Sequence, residues 1–441
     1  MAISKAQEKR AVLMQKVLII TYYWPPAGGP GVQRWLKFVK YLRGFDIEPY
    51  VFVPKNPHYP LMDTSLVKEV PEDIEVIKQA IFEPYGLASF LSRKKTKRIS
   101  SGIIQEFRKQ SWLERIFLWV RGNFFIPDAR KYWVKPSVKR LMDIISEEKI
   151  EAVITTGPPH SVHLIGKGIK DKMPIRWIAD FRDPWTSIGY HKKLKLTKAS
   201  RRKHKRLEQR VLNAADGIIV TSTTTQEEFE ALTTSPIHVI TNGYDSESVE
   251  TELDKEFTIS HIGSLLTERN PEGFWRAIAE LVNKNEVVRS KLKIRLIGVV
   301  GETVQQSIKK LGIEDCVEFI GYVPHEEVLL YQAKSQVLLL LEIDSVDTRG
   351  IIPGKLFEYF NAKRPILAIG PKDWEAGEMV KNHDAGRYIP HDGTENIKKL
   401  LLEWFQQFQD GELRCNSKEI EQFHRRELTK KLAKLLTWES S

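Results

Sequence analysis

Short apolar runs of strand length alternate with amphipathic stretches along the whole chain. In the first half they fall at 17–21, 50–53, 152–156, 176–179, 217–221 and 237–241. In the second half they fall at 257–262, 293–297, 317–320, 337–341, 366–369 and 387–389, again with helical patterns between them. This alternation predicts an α/β architecture of mostly parallel sheets, whose ligands bind beyond the carboxyl ends of the strands.

The rhythm breaks at 83–136, which reads as an insertion with helices of its own. It pauses again after Asn242-Gly243, a turn signal followed by the polar, acidic segment 244–255. A chain of 441 residues exceeds one ordinary core. Two doubly wound, Rossmann-like domains are therefore expected, at 1–245 and 246–415, with a helical segment at 416–441 packing back on the first.

Composition narrows the class. At 41% hydrophobic and 28% charged residues the chain is globular rather than low-complexity. The two cysteines, Cys316 and Cys415, form no disulfide framework, and no Cys/His spacing resembles a zinc site. The charged start of the chain lacks a signal-peptide core, and no apolar run approaches the roughly 18 residues of a membrane span, so a protein of the reducing cytosol is expected. A formal net charge of +11 points to anionic partners: nucleotide diphosphates, anionic lipid surfaces or nucleic acid. Basic clusters at 93–98 and 201–206 fit such a partner or simply a solvated surface, and no nucleic-acid reading motif accompanies them.

Candidate chemistry lies at the strand ends. The first strand runs into Tyr22-Tyr23-Trp24-Pro25-Pro26-Ala27-Gly28-Gly29-Pro30-Gly31 and then into apolar positions at helical spacing. Gly28 and Gly29 would let the backbone approach an anion at a helix N-terminus, although a tight turn without ligand fits as well. The loop is neither a dinucleotide fingerprint nor an ATPase phosphate loop. His160 in TTGPPHSVH, and Asp180 and Asp183 in WIADFRDPW, stand at two further strand ends. His160 can hydrogen-bond a sugar or a reacting oxygen, and either acid can orient an acceptor; a structural histidine and a local ion pair are the alternatives. In the second half Arg269 follows a strand, placed for phosphate or for pairing with Glu268. Beyond 337–341, Pro353 suits a first helical turn, so that amides from Ile351 through Ile352 and Gly354 to Lys355 would face a diphosphate. Glu358, one turn into that helix, can accept two hydrogen bonds from a ribose or remain solvated.

The blocks YYWPPAGGPGVQRW, TTGPPHSVH, WIADFRDPW and GKLFEYFNAKRPIL, in that order, resemble the family 4 glycosyltransferases, in particular their bacterial cell-surface polysaccharide branch. That resemblance implies retaining enzymes of GT-B fold, two Rossmann-like domains facing each other across a cleft. It implies a nucleotide-sugar donor site in the second domain, a glycan or lipid-linked acceptor on the first, and neither cofactor nor metal. No Asp-x-Asp pair of the metal-holding kind is present. By position Glu358 matches the family's ribose-binding glutamate, Arg269 its phosphate-contacting base, His160 a histidine near the transferred sugar, and Gly29 the glycine loop near the diphosphate. Two positions depart from the pattern: Gly350 stands where the first glutamate of the pair belongs, and Ser264 where a second phosphate-binding arginine belongs. Lys355 is the candidate to replace that arginine's charge. A sugar-nucleotide-binding protein without transfer activity, or an epimerase on the same fold, are the rival readings. Apolar residues along one helical face at 112–125 predict contact with an anionic membrane, at its cytoplasmic face, or packing on their own domain.

Overall fold

The computed structural model describes residues 14–83, 112–192, 194–245 and 249–437. The basic cluster at 93–98 lies outside them. Two compact units emerge: Gly243–His424 form one, and the chain up to Asn242 forms the other together with the segment from Arg425.

The first unit is built on a seven-stranded parallel sheet of order β3-β2-β1-β4-β5-β6-β7. Its strands are β1 (Gln15–Thr21), β2 (Ile47–Pro54), β3 (Glu75–Gln79), β4 (Ala152–Gly157), β5 (Arg176–Phe181), β6 (Gly217–Val220) and β7 (Ile237–Val239). Five of its helices matter below: α1 (Pro30–Leu42), α2 (Trp112–Phe124), α3 (Lys131–Glu148), α4 (Ser161–Lys170) and α5 (Lys198–Leu212). Successive residues of β1 point to opposite faces, so Leu18 and Ile20 pack with Leu141 of α3 and Ile165 of α4, while Val17 and Ile19 pack with Trp35 and Leu36 of α1. A strand buried on both sides leaves no polar alternation, which is why the sequence pattern marks it so clearly. β3 escapes that pattern. It is an edge strand in which only Ile77 is buried, and its sequence EVIKQ reads as polar surface.

The second unit has a six-stranded parallel sheet, β10-β9-β8-β11-β12-β13, from β8 (Phe257–Ile262), β9 (Leu292–Ile297), β10 (Val317–Gly321), β11 (Val337–Leu341), β12 (Ile366–Gly370) and β13 (Gly386–Pro390). Helices α6 (Glu272–Lys284) and α8 (Thr394–Gln409) cover one face, where Leu339 meets Ile278 and Leu401. Helix α7 (Lys355–Ala362) covers the other, where Leu338 and Leu340 meet Leu356 and Phe360.

The segment expected to return to the first unit from 416 returns later. Ile420 and Phe423 still pack with Phe357 and Phe360 of the second unit, and Tyr244 donates its amide to the Phe423 carbonyl at 3.2 Å. Only helix α9 (Arg425–Thr437) crosses back, where Leu428, Leu432 and Leu436 join Trp35 and Leu36 in one core.

Asp180 requires a correction of the role read from its motif. It is fully buried at the end of β5 and accepts from Arg34 Nη2 at 3.1 Å, Trp35 Nε1 at 2.8 Å and Thr156 Oγ1 at 2.7 Å. Arg34 is itself buried and donates onward to the Ile240 and Thr241 carbonyls. Asp180 thus locks α1 across β4, β5 and the β7 exit. None of its surface is exposed to a substrate.

Two stability outcomes follow from this packing. Asp180→Asn leaves the Arg34 guanidinium buried without its counter-charge and is expected to lower unfolding free energy by about 3 kcal/mol or more. A denaturant titration that finds less than about 1 kcal/mol refutes the locking role. Leu432→Ala, at a fully buried α9 position, is expected to cost about 2–5 kcal/mol in the same measurement. An unchanged midpoint would show that α9 adds nothing to the first core.

Candidate functional site

A sheet wound outward in both directions has a reversal point, where successive connections leave toward opposite edges and open a crevice. The strand orders put that point between β1 and β4 in the first unit and between β8 and β11 in the second. The candidate residues of each half gather at these two places.

In the first unit the loop after β1 turns at Gly29, whose φ of +106° is open to glycine alone among common residues, and α1 starts at Pro30 without a side-chain cap. The amides of Val32 and Gln33 turn back to the Gly29 carbonyl, and Gly28 is tied by its own amide to the Leu61 carbonyl. Across this helix start lies Arg182, which donates from Nε to the Gly157 carbonyl at 3.2 Å and from Nη2 to the Pro158 carbonyl. A Cβ on Gly31 would fall 1.4 Å from Arg182 Nη1, so glycine is needed there for the guanidinium to lie over the helix N-terminus. Arg182 is the centre of the Asp-Arg-Asp spacing that also fits a local ion pair, and its closeness to Gly31 arises from strands far apart in the chain.

His160 and Asp183 border the same crevice differently. His160 precedes α4 and is buried, its ring stacked on Trp185 at 4.9 Å. Neither ring nitrogen has a hydrogen-bond partner among the described residues. Burial, with His163 alongside, holds its pKa well below the ordinary histidine value, so the imidazole is neutral. Asp183 is half-buried and makes no protein hydrogen bond; burial raises its pKa, against the pull of Arg182. Neither has a side-chain hydrogen-bond partner among the described residues, whereas Asp180 has three.

In the second unit β8 pairs with β11 only through Ile259 and Ser260. Beyond that register the facing backbone groups of β8 need other partners. Helix α7 supplies them: Lys355 Nζ donates to the Ile262 carbonyl at 2.9 Å, and Tyr359, one turn later, accepts from the Ile262 amide at 3.1 Å. His261 Nδ1 donates to the Leu339 carbonyl at 3.0 Å, which leaves its Nε2 as an acceptor 3.4 Å from Lys355 Nζ. The lysine is therefore pinned at the strand end, beside Gly263, whose φ is +113°. Burial, and then the nearby charge of Arg269, pull the Lys355 ammonium down to about 7, with Glu342 and Glu358 opposing. The same burial and the Lys355 charge hold His261 well below its ordinary value, and so neutral.

Arg269 is held on one edge. Its Nε and Nη2 form a bidentate pair with the fully buried Glu342 at 3.0 and 3.1 Å, and Nη1 has no acceptor among the described residues. Glu342 also accepts from the Ile343 amide at 2.8 Å, while His391 Nε2 donates to the Glu342 carbonyl at 2.8 Å. The sequence reading passed over Glu342, although it directly follows the apolar run of β11 and so stands at a strand's carboxyl end. Glu358 is half-exposed on α7 and accepts from the buried Gln332 at 3.0 Å through Oε2, leaving Oε1 open.

The amide row expected from Ile351 to Lys355 is shorter than the sequence pattern implies. Ile351 donates to the Thr348 carbonyl at 3.0 Å, and its own carbonyl accepts from Trp374. The amides of Ile352 and Gly354 remain open ahead of a helix that starts at Lys355. Ser264 is exposed at the β8 exit and brings no charge. Among the described residues, no group of three or more His, Cys, Asp or Glu is placed to hold a metal ion. Among them, too, no helix is long and apolar enough to cross a membrane.

Known proteins share this fold. The Glycosyltransferase Family 4 model matches residues 103–248, and the Glycosyl transferases group 1 model matches 245–417. No curated protein matches the chain by sequence. Sucrose-phosphate synthase from Thermosynechococcus elongatus superposes with a TM-score of 0.60 at 12% identity, over 96% of this chain and 98% of that one. The lipopolysaccharide outer core galactosyltransferase WaaB gives 0.58 at 15% identity, over 97% and 100%. A UDP-N-acetylglucosamine 2-epimerase gives 0.50 at 13%, over 97% and 98%. At such identities the likeness is one of fold, and transferases and an epimerase share it. The two adjoining family matches decide between them: the chain belongs to the family 4-like glycosyltransferases of GT-B fold.

Proposed function

We propose that this protein is a retaining, metal- and cofactor-independent hexosyltransferase. It moves a sugar from a nucleotide diphosphate donor, bound by the second unit, to a glycan or lipid-linked acceptor bound by the first. Cell-surface polysaccharide synthesis on the cytoplasmic side of the cell membrane is the setting. The observation that carries the reading is the convergence at the β8/β11 reversal of Lys355 Nζ, the open Nη1 of Arg269 and the carboxylate of Glu358. Two cations and the open amides of Ile352 and Gly354 suit a diphosphate; a carboxylate three residues along the same helix suits the two ribose hydroxyls.

In this reading the bond between the anomeric carbon and the diphosphate oxygen breaks while the acceptor oxygen bonds to that carbon on the same face. The acceptor proton passes to the departing diphosphate. Lys355 and Arg269 stabilise the charge that develops there, an effect of about 3 kcal/mol per well-placed donor. Glu342 acts through Arg269 as its positioning residue. In the first unit, Gly28 and Gly29 open the backbone toward an anion, Arg182 adds charge, and His160 and Asp183 are the polar groups for the transferred sugar and the acceptor. Gly350, in place of a carboxylate, favours one second reading, a sugar-nucleotide-binding protein that does not transfer.

A panel of nucleotide sugars screened by thermal shift is expected to contain one that stabilises the native chain, by about 2.7 kcal/mol at a hundredfold excess over Kd. Transfer to acceptor extracts then separates an enzyme from a binding protein. Conversion of the donor alone would mark an epimerase, and a panel without any stabilising member removes the proposal.

Lys355 gives that binding a defined pH dependence. The ammonium is charged below about 7 and neutral above it. An anionic donor must then bring a proton with it, and the apparent Kd rises by up to about tenfold per pH unit above neutrality. His261 stays neutral throughout and so supplies no such slope. An intact nucleotide sugar is the proper probe, because its doubly esterified diphosphate does not titrate in this range. Lys355→Met is expected to bind weakly at pH 6 and to lose the slope; a variant with the wild-type profile would exclude Lys355 from the site.

A further inference from the structure

Helix α5 buries Ser200, His204, Glu208, Val211 and Leu212. Every exposed position on its remaining arc is Lys or Arg, apart from Ala199 and Gln209. Lys198, Arg202, Arg206 and Arg210 follow one another at four-residue spacing, so like charges stack along the helix and oppose its formation. No acidic side chain relieves them: none of the cations of this arc forms an ion pair or hydrogen bond among the described residues. An arrangement that repels itself in isolation is neutralised by an extended anionic partner.

Helix α2 adjoins it. Trp112, Ile116, Phe117, Trp119 and Phe124 are all exposed, Trp112 at 68% and Phe117 at 59%. At 100° per residue they fall on one side of the helix, with Val120 and Asn123 among them and Arg115 and Arg121 at its two edges. Asn123 in the last turn of α2 accepts from the Thr197 amide at 2.8 Å and donates to the Lys195 carbonyl at 3.3 Å. Thr197 is the N-cap of α5, its hydroxyl accepting from the Ser200 amide at 3.1 Å. One side chain therefore bolts the aromatic helix to the start of the cationic one, and a Cβ on Gly122 would meet the Leu194 carbonyl at 2.7 Å.

We infer that α2 and α5 together form a docking surface for an anionic lipid bilayer, with the α2 aromatics seated among headgroups and acyl chains and the α5 cations on the lipid phosphates. This deepens the lipid-linked acceptor reading proposed above by naming the surface that meets the membrane. Tryptophan and phenylalanine beside an aliphatic Ile116, flanked by arginines, match an interfacial helix, and the charge of α5 matches acidic headgroups. A nucleic acid would use the same cations and could stack bases on the rings, but it gains nothing from the aliphatic Ile116.

The test is flotation of the full chain with phosphatidylcholine vesicles and with vesicles rich in phosphatidylglycerol, at low and high salt. Binding is expected to the anionic vesicles, weakening as salt rises. Arg202→Glu with Arg206→Glu should reduce the partition coefficient at least tenfold. Trp112→Ser with Phe117→Ser should reduce it with all charges intact. Neither double variant should lower the unfolding midpoint, and both should keep nucleotide-sugar stabilisation, since none of these residues lies at the donor site. Equal binding to neutral vesicles, wild-type binding by the charge-reversed variant, or tighter binding to RNA than to anionic vesicles would each overturn the inference. Vesicle binding by a chain that no nucleotide sugar stabilises would keep the docking surface and reject the transferase reading, so the two can fail separately.

Discussion

Everything in the second unit's site depends on a shortage of backbone partners. β8 and β11 run together for two residues and then part, because the connections that follow them leave for opposite edges of the sheet. An amide and a carbonyl of Ile262 are left to be satisfied, and side chains of α7 satisfy both. The helix that would present Glu358 to a ligand is thus fixed to the strand by hydrogen bonds one turn apart. The same contact buries a lysine beside an arginine, which makes its proton labile.

The first unit answers the corresponding shortage with charge placed in the core. Arg34 and Asp180 hold α1 against the ends of β4 and β5, and their mutual neutralisation lets both be fully enclosed. With the helix held, its uncapped start can face outward under Arg182. The acid that looks most reactive in the sequence is therefore the one committed to architecture, and the more exposed Asp183 remains uncommitted. Hydrogen-bond partners and burial together separate the two roles, although the residues stand three apart in one short block.

Positive charge is distributed in two ways with different consequences. At the sheet reversals it is sparse, oriented by named partners and partly desolvated, conditions under which each contact is strong and specific. On α5 it is dense, exposed and unpaired, conditions under which interactions are individually weak, additive and sensitive to salt. The net charge of +11 combines both populations and distinguishes neither.

Fold class and the approximate positions of the buried strands were legible in the sequence, because a strand enclosed on both faces must be apolar throughout and the segments between must carry a helical stripe. β3 was not legible, because an edge strand with one buried residue has no such signature. The positions of Lys355, Arg269 and Glu358 at strand and helix ends were likewise readable from local pattern. What only the tertiary structure decided is which groups meet, Arg269 with Glu342, Arg182 with Gly31 and Asp180 with Arg34, and that the chain crosses back at Arg425 rather than at 416. Local periodicity fixes which way a residue points along its own element. Partners far apart in the chain are set by strand order and by where the chain reverses across the sheet, and no short window of sequence contains that information.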